Sequence, residues 1–131
     1  MGLADYKYLL ETENAMTTAE YTTDEIYHAQ TTPALNRAGN FGLHVVVTTA
    51  FTGLDSGIYF WIIHGSATSP TTKHSALFVP VAALTAGAHF FIPAGVGVDL
   101  LQFMRGYKEP VSEAATAGAT TSWFGPADGT P

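Results

Sequence analysis

The chain contains no cysteine. That excludes a disulfide framework, a thiolate nucleophile and a thiolate metal site, and it leaves apolar burial to hold the fold unaided, as suits a cytoplasmic domain. Basic residues are scarce as well. Lys7, Arg37, Lys73, Arg105 and Lys108 stand singly against 11 acids, for a net charge of −6. No basic patch is available to neutralise a phosphate backbone, so nucleic acid is not expected as a direct partner. Met1 to Lys7 lacks both the basic start and the apolar run of a secretory signal, so secretion is not expected either. Ala76 to Val98 holds no Asp, Glu, Lys or Arg. Pro80, Gly87, Pro93, Gly95 and Gly97 nevertheless cut it into strand-length pieces, which argues against a membrane span. No stretch carries a helical apolar stripe or a long internal repeat.

What remains is a chain of 131 residues, 47% apolar, enough for one domain with one core. Residues 1–40 hold six of the acids (Asp5, Glu11, Glu13, Glu20, Asp24, Glu25) and many threonines. They read as an N-terminal arm, with Tyr6, Tyr8, Leu9 and Leu10 as an adhesive end and a short strand at Glu25 to His28. Ordering of such an arm by a neighbour carries an entropic cost.

From Phe41 the β signal is strong. Leu43, Val45, Val47 and Phe51 can share one face, and β-branched residues suit a pleated sheet. Ile58 to His64 is apolar at every other position on both faces, which fits a strand whose inner side meets the core and whose outer side meets a partner. Shorter strands follow at Ala76 to Val81, His89 to Ile92, Val98 to Tyr107 and Ala114 to Phe124, separated by Gly- and Pro-containing turns. Six or seven strands at spacings of about 8 to 12 residues point to an all-β sandwich or barrel over residues 41–124 rather than to βαβ units, with a C-terminal tail at 125–131.

The chemistry-bearing residues do not assemble into a signature. Gly87 to Gly95 imitates the spacing of a cupin metal motif. The position where that motif places its histidine is Val98, however, and no His-x-His pair exists to supply the rest of the ligands. His44, His64 and His89 read as strand-edge or solvated-face residues, and His28 and His74 as exposed ones. The serines and threonines include no Gly-x-Ser-x-Gly elbow. Asp55, Asp99, Glu109 and Glu113 fall at turns or strand ends, where acids solvate the surface. Gly95 and Gly97 precede a strand rather than a helix, so they form no phosphate cradle. Most aromatics lie inside apolar strands, whereas Trp123 and Phe124 end the last strand, where aromatics commonly anchor an interface. Neither an enzyme nor a cofactor is expected. The candidate interface residues are Tyr6, Tyr8, Leu9, Leu10, Tyr59, Trp61, Trp123 and Phe124. A carbohydrate- or receptor-binding module is the alternative, drawn from Tyr59, Trp61 and Trp123.

The order of segments resembles the capsid cement, or decoration, proteins of short-tailed bacteriophages of the Bordetella-phage type. The resemblance rests on the acidic, threonine-rich arm, Val45-Val46-Val47, the strand ending at Ile63, Leu84-Thr85-Ala86-Gly87, Ile92-Pro93-Ala94-Gly95, the strand Leu100 to Tyr107, and Ala117-Gly118 before the closing strand. The turn Gly65 to Pro70 departs from that pattern in lacking an acidic pair, and the tail is particular to this chain. The resemblance implies an all-β, jelly-roll-like antiparallel β-sandwich with an extended N-terminal arm, and a virion structural protein made in the host cytoplasm and placed on the outer capsid surface. It would bind a major capsid protein of HK97-type fold, staple neighbouring subunits, and self-associate as a dimer or alternatively a trimer.

Overall fold

The computed structural model describes residues 9–27, 41–94, 102–111 and 113–126. Nine strands run in chain order: β1 (Leu9–Ala15), β2 (Glu20–Tyr21), β3 (Ile26–Tyr27), β4 (Phe41–Thr52), β5 (Gly57–Gly65), β6 (Thr72–Pro80), β7 (His89–Pro93), β8 (Phe103–Pro110) and β9 (Ala117–Pro126), with one 3-10 turn at Val81–Ala83. Among the described residues no helix is long and apolar enough to cross a membrane.

Two antiparallel sheets form the fold. The first has the order β1-β9-β4-β7, and the second has β2-β8-β5-β6, with β3 continuing beside β8 where β2 stops. Counting β2 and β3 as one interrupted strand, the pairs β1/β9, β2+β3/β8, β4/β7 and β5/β6 are nested, like a long ribbon rolled onto itself with β5–β6 at its hairpin end. This is a jelly-roll sandwich, the expected architecture.

Alternation along the strands decides which side chains are enclosed. Phe41, Leu43, Val45, Val47 and Phe51 of β4 turn inward with Ile58, Phe60 and Ile62 of β5, Ile92 of β7, Met104 of β8 and Phe124 of β9. The Phe41 and Phe124 rings stack at 5.8 Å within this layer. At Gly118 the backbone has φ +151°, and a Cβ there would fall within 2.1 Å of the Phe51 ring, so only glycine lets β9 pass this close.

The stretch 9–27, read from the sequence as an arm, is part of the sandwich instead. β1 is an edge strand of the first sheet, and Leu10, Met16 and Ile26 are buried in the common core. Its sparse apolar residues are enough because Thr23 Oγ1 and the Asp24 N–H both donate to the Leu10 carbonyl, tying β1 to the β2–β3 edge. At the opposite edge, His74 Nε2–H donates to the Ala94 carbonyl at 2.9 Å and Ser75 Oγ to the Pro93 carbonyl at 3.0 Å, joining β6 to the end of β7. Tyr6, Tyr8, His28, Gly95, Gly97, Val98, Asp99 and the tail beyond Pro126 lie outside the described residues.

Candidate protein-interaction surface

The outer face of the second sheet is built almost wholly from rings. Along β8, Phe103, Arg105, Tyr107 and Glu109 point outward while Met104, Gly106 and Lys108 point inward. Tyr59 and Trp61 flank them on β5 and Phe78 lies beyond on β6, while Tyr21 and Tyr27 complete the row on β2 and β3. Neighbouring rings touch: Tyr21 and Tyr107 at 4.6 Å, Tyr27 and Phe103 at 4.9 Å, Tyr59 and Phe78 at 5.0 Å between centroids. Tyr27 is 61% exposed, Tyr59 39% and Phe78 38%. Large apolar side chains gathered at one place on a surface mark a contact site rather than ordinary scatter.

The charges on this face are held in the aromatic layer. Arg105 stacks over Tyr21 at 3.6 Å and donates from Nε to the Pro70 carbonyl. Lys73 Nζ lies 4.6 Å over the Trp61 ring and 3.7 Å from Glu109 Oε1, while Trp61 Nε1–H donates to the same carboxylate at 3.1 Å. Burial, then the nearby Glu109 carboxylate and Tyr21, raise the Tyr107 phenol above its ordinary value. Rings and cations fixed in this way lose little side-chain freedom on binding, which favours them as anchors.

The structure redistributes the residues singled out from the sequence. Tyr59 and Trp61 stand on the aromatic face. Leu9 is half-buried on the outer side of the first sheet, opposite Trp123. Leu10, Trp123 and Phe124, expected at an interface, are buried instead. Phe124 alternates inward into the core. Trp123 points outward from β9, but its ring stacks on His44 at 5.0 Å and 4° and lies 5.5 Å from His89. Strand-end position was a poor guide because β9 occupies an interior place in its sheet. Tyr21, Tyr27, Phe78, Phe103, Tyr107, Lys73 and Arg105 were not singled out. The alternation Phe103-x-Arg105-x-Tyr107-x-Glu109 is the sequence signal that marks them.

The four described histidines form two pairs. His44, fully buried at the centre of the first sheet rather than at an edge, has its Nδ1 2.8 Å from His89 Nε2. His64 and His74 rings lie 4.9 Å apart. No three His, Asp or Glu side chains converge as metal ligands among the described residues. Burial lowers the affinity of His64 for a proton, with His74 adding to it, and burial does the same at His89. Below the ordinary histidine value of about 6.5 the unfolded chain binds more protons than the folded one, so stability falls as pH drops through that point. The melting temperature is therefore expected to fall between pH 7.5 and pH 5.5, as measured by thermal scans in matched ionic strength, and the His64→Gln/His89→Gln variant should show a shallower decline. An equally steep decline in the variant would assign the effect to other groups.

No protein-family model matches the sequence, and no curated protein matches it. The fold and this surface define the class: a jelly-roll sandwich with one aromatic, cation-bearing outer face.

Proposed function

We propose that the protein is a bacteriophage capsid cement protein: a non-enzymatic virion component that binds the outer surface of a shell of HK97-type major capsid subunits, staples neighbours, and associates with itself as a dimer or alternatively a trimer. The observation that carries this reading is the aromatic outer face of the second sheet. Its inner side already supplies the core, so the outer rings are surplus to what one sandwich needs for folding, and a protein partner is what such a surplus serves. It joins the resemblance in segment order to phage decoration proteins. Many copies of a modest contact, each bridging capsid subunits, give strong collective binding through effective concentration.

Purified protein should bind preformed capsid shells in a cosedimentation assay. Trp61→Ala and Tyr59→Ala are each expected to weaken that binding about tenfold or more, in the range of interface anchors, while leaving the circular dichroism spectrum unchanged. Binding undiminished by both substitutions, or no binding by the wild type, would sink the reading.

A carbohydrate-binding module is the second reading, favoured by Tyr59, Trp61 and Glu109, which put flat rings beside a hydrogen-bonding carboxylate. Glycan-array binding that is lost in Trp61→Ala, with no affinity for shells, would put it first.

A further inference from the structure

Among the described residues strand β6 is the edge of the second sheet, with β5 as its one strand neighbour there. In an antiparallel ladder, residues bonded to the neighbouring strand alternate with residues whose N–H and C=O face away from it. The Val81 N–H donates to the Ser56 carbonyl at 2.9 Å, which marks that opposed pair as a bonded one. Stepping back by two along the register makes Ile58/Val79 and Phe60/Leu77 bonded pairs as well. Ala76 and Phe78 therefore turn their N–H and C=O groups to the outside, and no described residue bonds them there. Pro80 belongs to the same outward set, where a residue without an N–H costs the sheet nothing.

Edge strands are ordinarily blunted by brevity, charge, bulges or strain. β1 has two register shifts and Glu13 at φ +44°. β2 and β3 are two residues each, and β7 is five residues ending in proline. β6 runs for nine residues, and from Ser75 to Pro80 it carries no charge. Its one register shift lies opposite Ile62 and Ile63 of β5, and among the described edges residues 75–80 are the longest run with neither a shift nor a charge.

We propose that β6 pairs antiparallel with β6 of a second copy of this chain, about a two-fold axis through Leu77. This specifies the self-association within the cement reading. In that register Ala76 opposes Phe78 of the second copy and Phe78 opposes its Ala76, and both are bonded pairs, so the four outward groups of each copy are all satisfied. A closed two-fold contact requires this self-complementarity. The side chains agree with it. Phe78, on the outer face, lies beside the small Ala76 of the other copy, and Leu77, half-buried on the core side, meets Leu77 across the axis. A slip of one residue would set outward groups against inward ones. The two second sheets then become one continuous sheet, and their aromatic faces become one docking surface with twice the number of anchors.

Sedimentation equilibrium of the full chain should give twice the chain mass. Ala76→Pro, which removes a donor only from the outer edge, and Phe78→Lys, at an exposed position, should each give monomer with an unchanged circular dichroism spectrum. Phe78→Lys decides the matter if Ala76→Pro fails to fold. Because the native chain has no cysteine, Leu77→Cys is a clean probe: opposed residues of a non-bonded pair lie about 4.5 Å apart at Cα, within disulfide range. Mild oxidation should crosslink Leu77→Cys into dimers and leave Thr72→Cys monomeric. A monomeric wild type, a dimer that survives Phe78→Lys, or equal crosslinking of the two cysteine variants would overturn the proposal. A dimer that ignores capsid shells overturns the cement reading alone, and a monomer that binds shells overturns this pairing alone.

Discussion

Lys108→Met is expected to lower the free energy of unfolding by about 3 to 5 kcal/mol, the cost of leaving a buried charge without its partner. Lys108 points inward from β8 and is 2% exposed. Its Nζ donates to Glu11 Oε1 at 2.7 Å and, more weakly, to Thr120 Oγ1 at 3.4 Å. The other carboxylate oxygen of Glu11 accepts from Thr120 Oγ1 at 2.6 Å and Ser122 Oγ at 2.8 Å, and Asn14 Nδ2 donates to Oε1 at 3.3 Å. One carboxylate on β1 thus gathers donors from β8 and β9 and links the two sheets. Methionine fills the volume of lysine but leaves the Glu11 carboxylate desolvated. Glu11→Leu should cost a similar amount through the stranded ammonium. The double variant Glu11→Leu/Lys108→Met should recover a large part of the sum, because well-packed apolar pairs often replace buried ion pairs without loss. A urea-denaturation cycle measures this; additive single losses with no recovery would show that the two charges do not depend on each other.

Trp123→Ala is expected to cost about 3 to 5 kcal/mol of stability, the range for truncating a buried aromatic, and to have no specific effect on a partner. The ring is 3% exposed under His44 and His89. Its loss opens a cavity over the centre of the first sheet, with the His44–His89 contact at its rim. Thermal unfolding together with shell cosedimentation separates the two roles: the melting temperature should drop while binding by the folded fraction stays at the wild-type level. Trp61→Ala should do the reverse, which makes the two tryptophans of the chain a matched pair, one for the fold and one for the surface.

That contrast illustrates how far the sequence could be read. Tyr59 and Trp61 were legible because Ile58 to His64 is apolar on both faces, and a strand can bury only one face in its own sandwich. Trp123 and Phe124 carried a similar local signal with a different outcome. Two neighbouring residues point to opposite sides of a sheet, and whether the outer one is covered depends on what stands on β4 and β7 beside it. The histidines misled for the same reason: His44 sits in an apolar strand of ordinary appearance, and its ring packs against His89, Phe91 and Trp123, all distant in the chain. Residues 9–27 were the largest difference. Their acids and threonines gave them the composition of a solvated arm, yet Glu11 is enclosed because its counter-charge arrives from Lys108.

By itself the amino-acid sequence determined the class of fold, since alternation and turn residues are local properties that each strand carries without its neighbours. It also determined that one strand has more apolar surface than a core can use. Only the tertiary structure decided which rings share a face, which charges are enclosed and which described strand stands at the edge of its sheet. Those follow from pairings such as β1 with β9 and β2 with β8, which join residues far apart in the chain, and no local pattern encodes what will lie opposite.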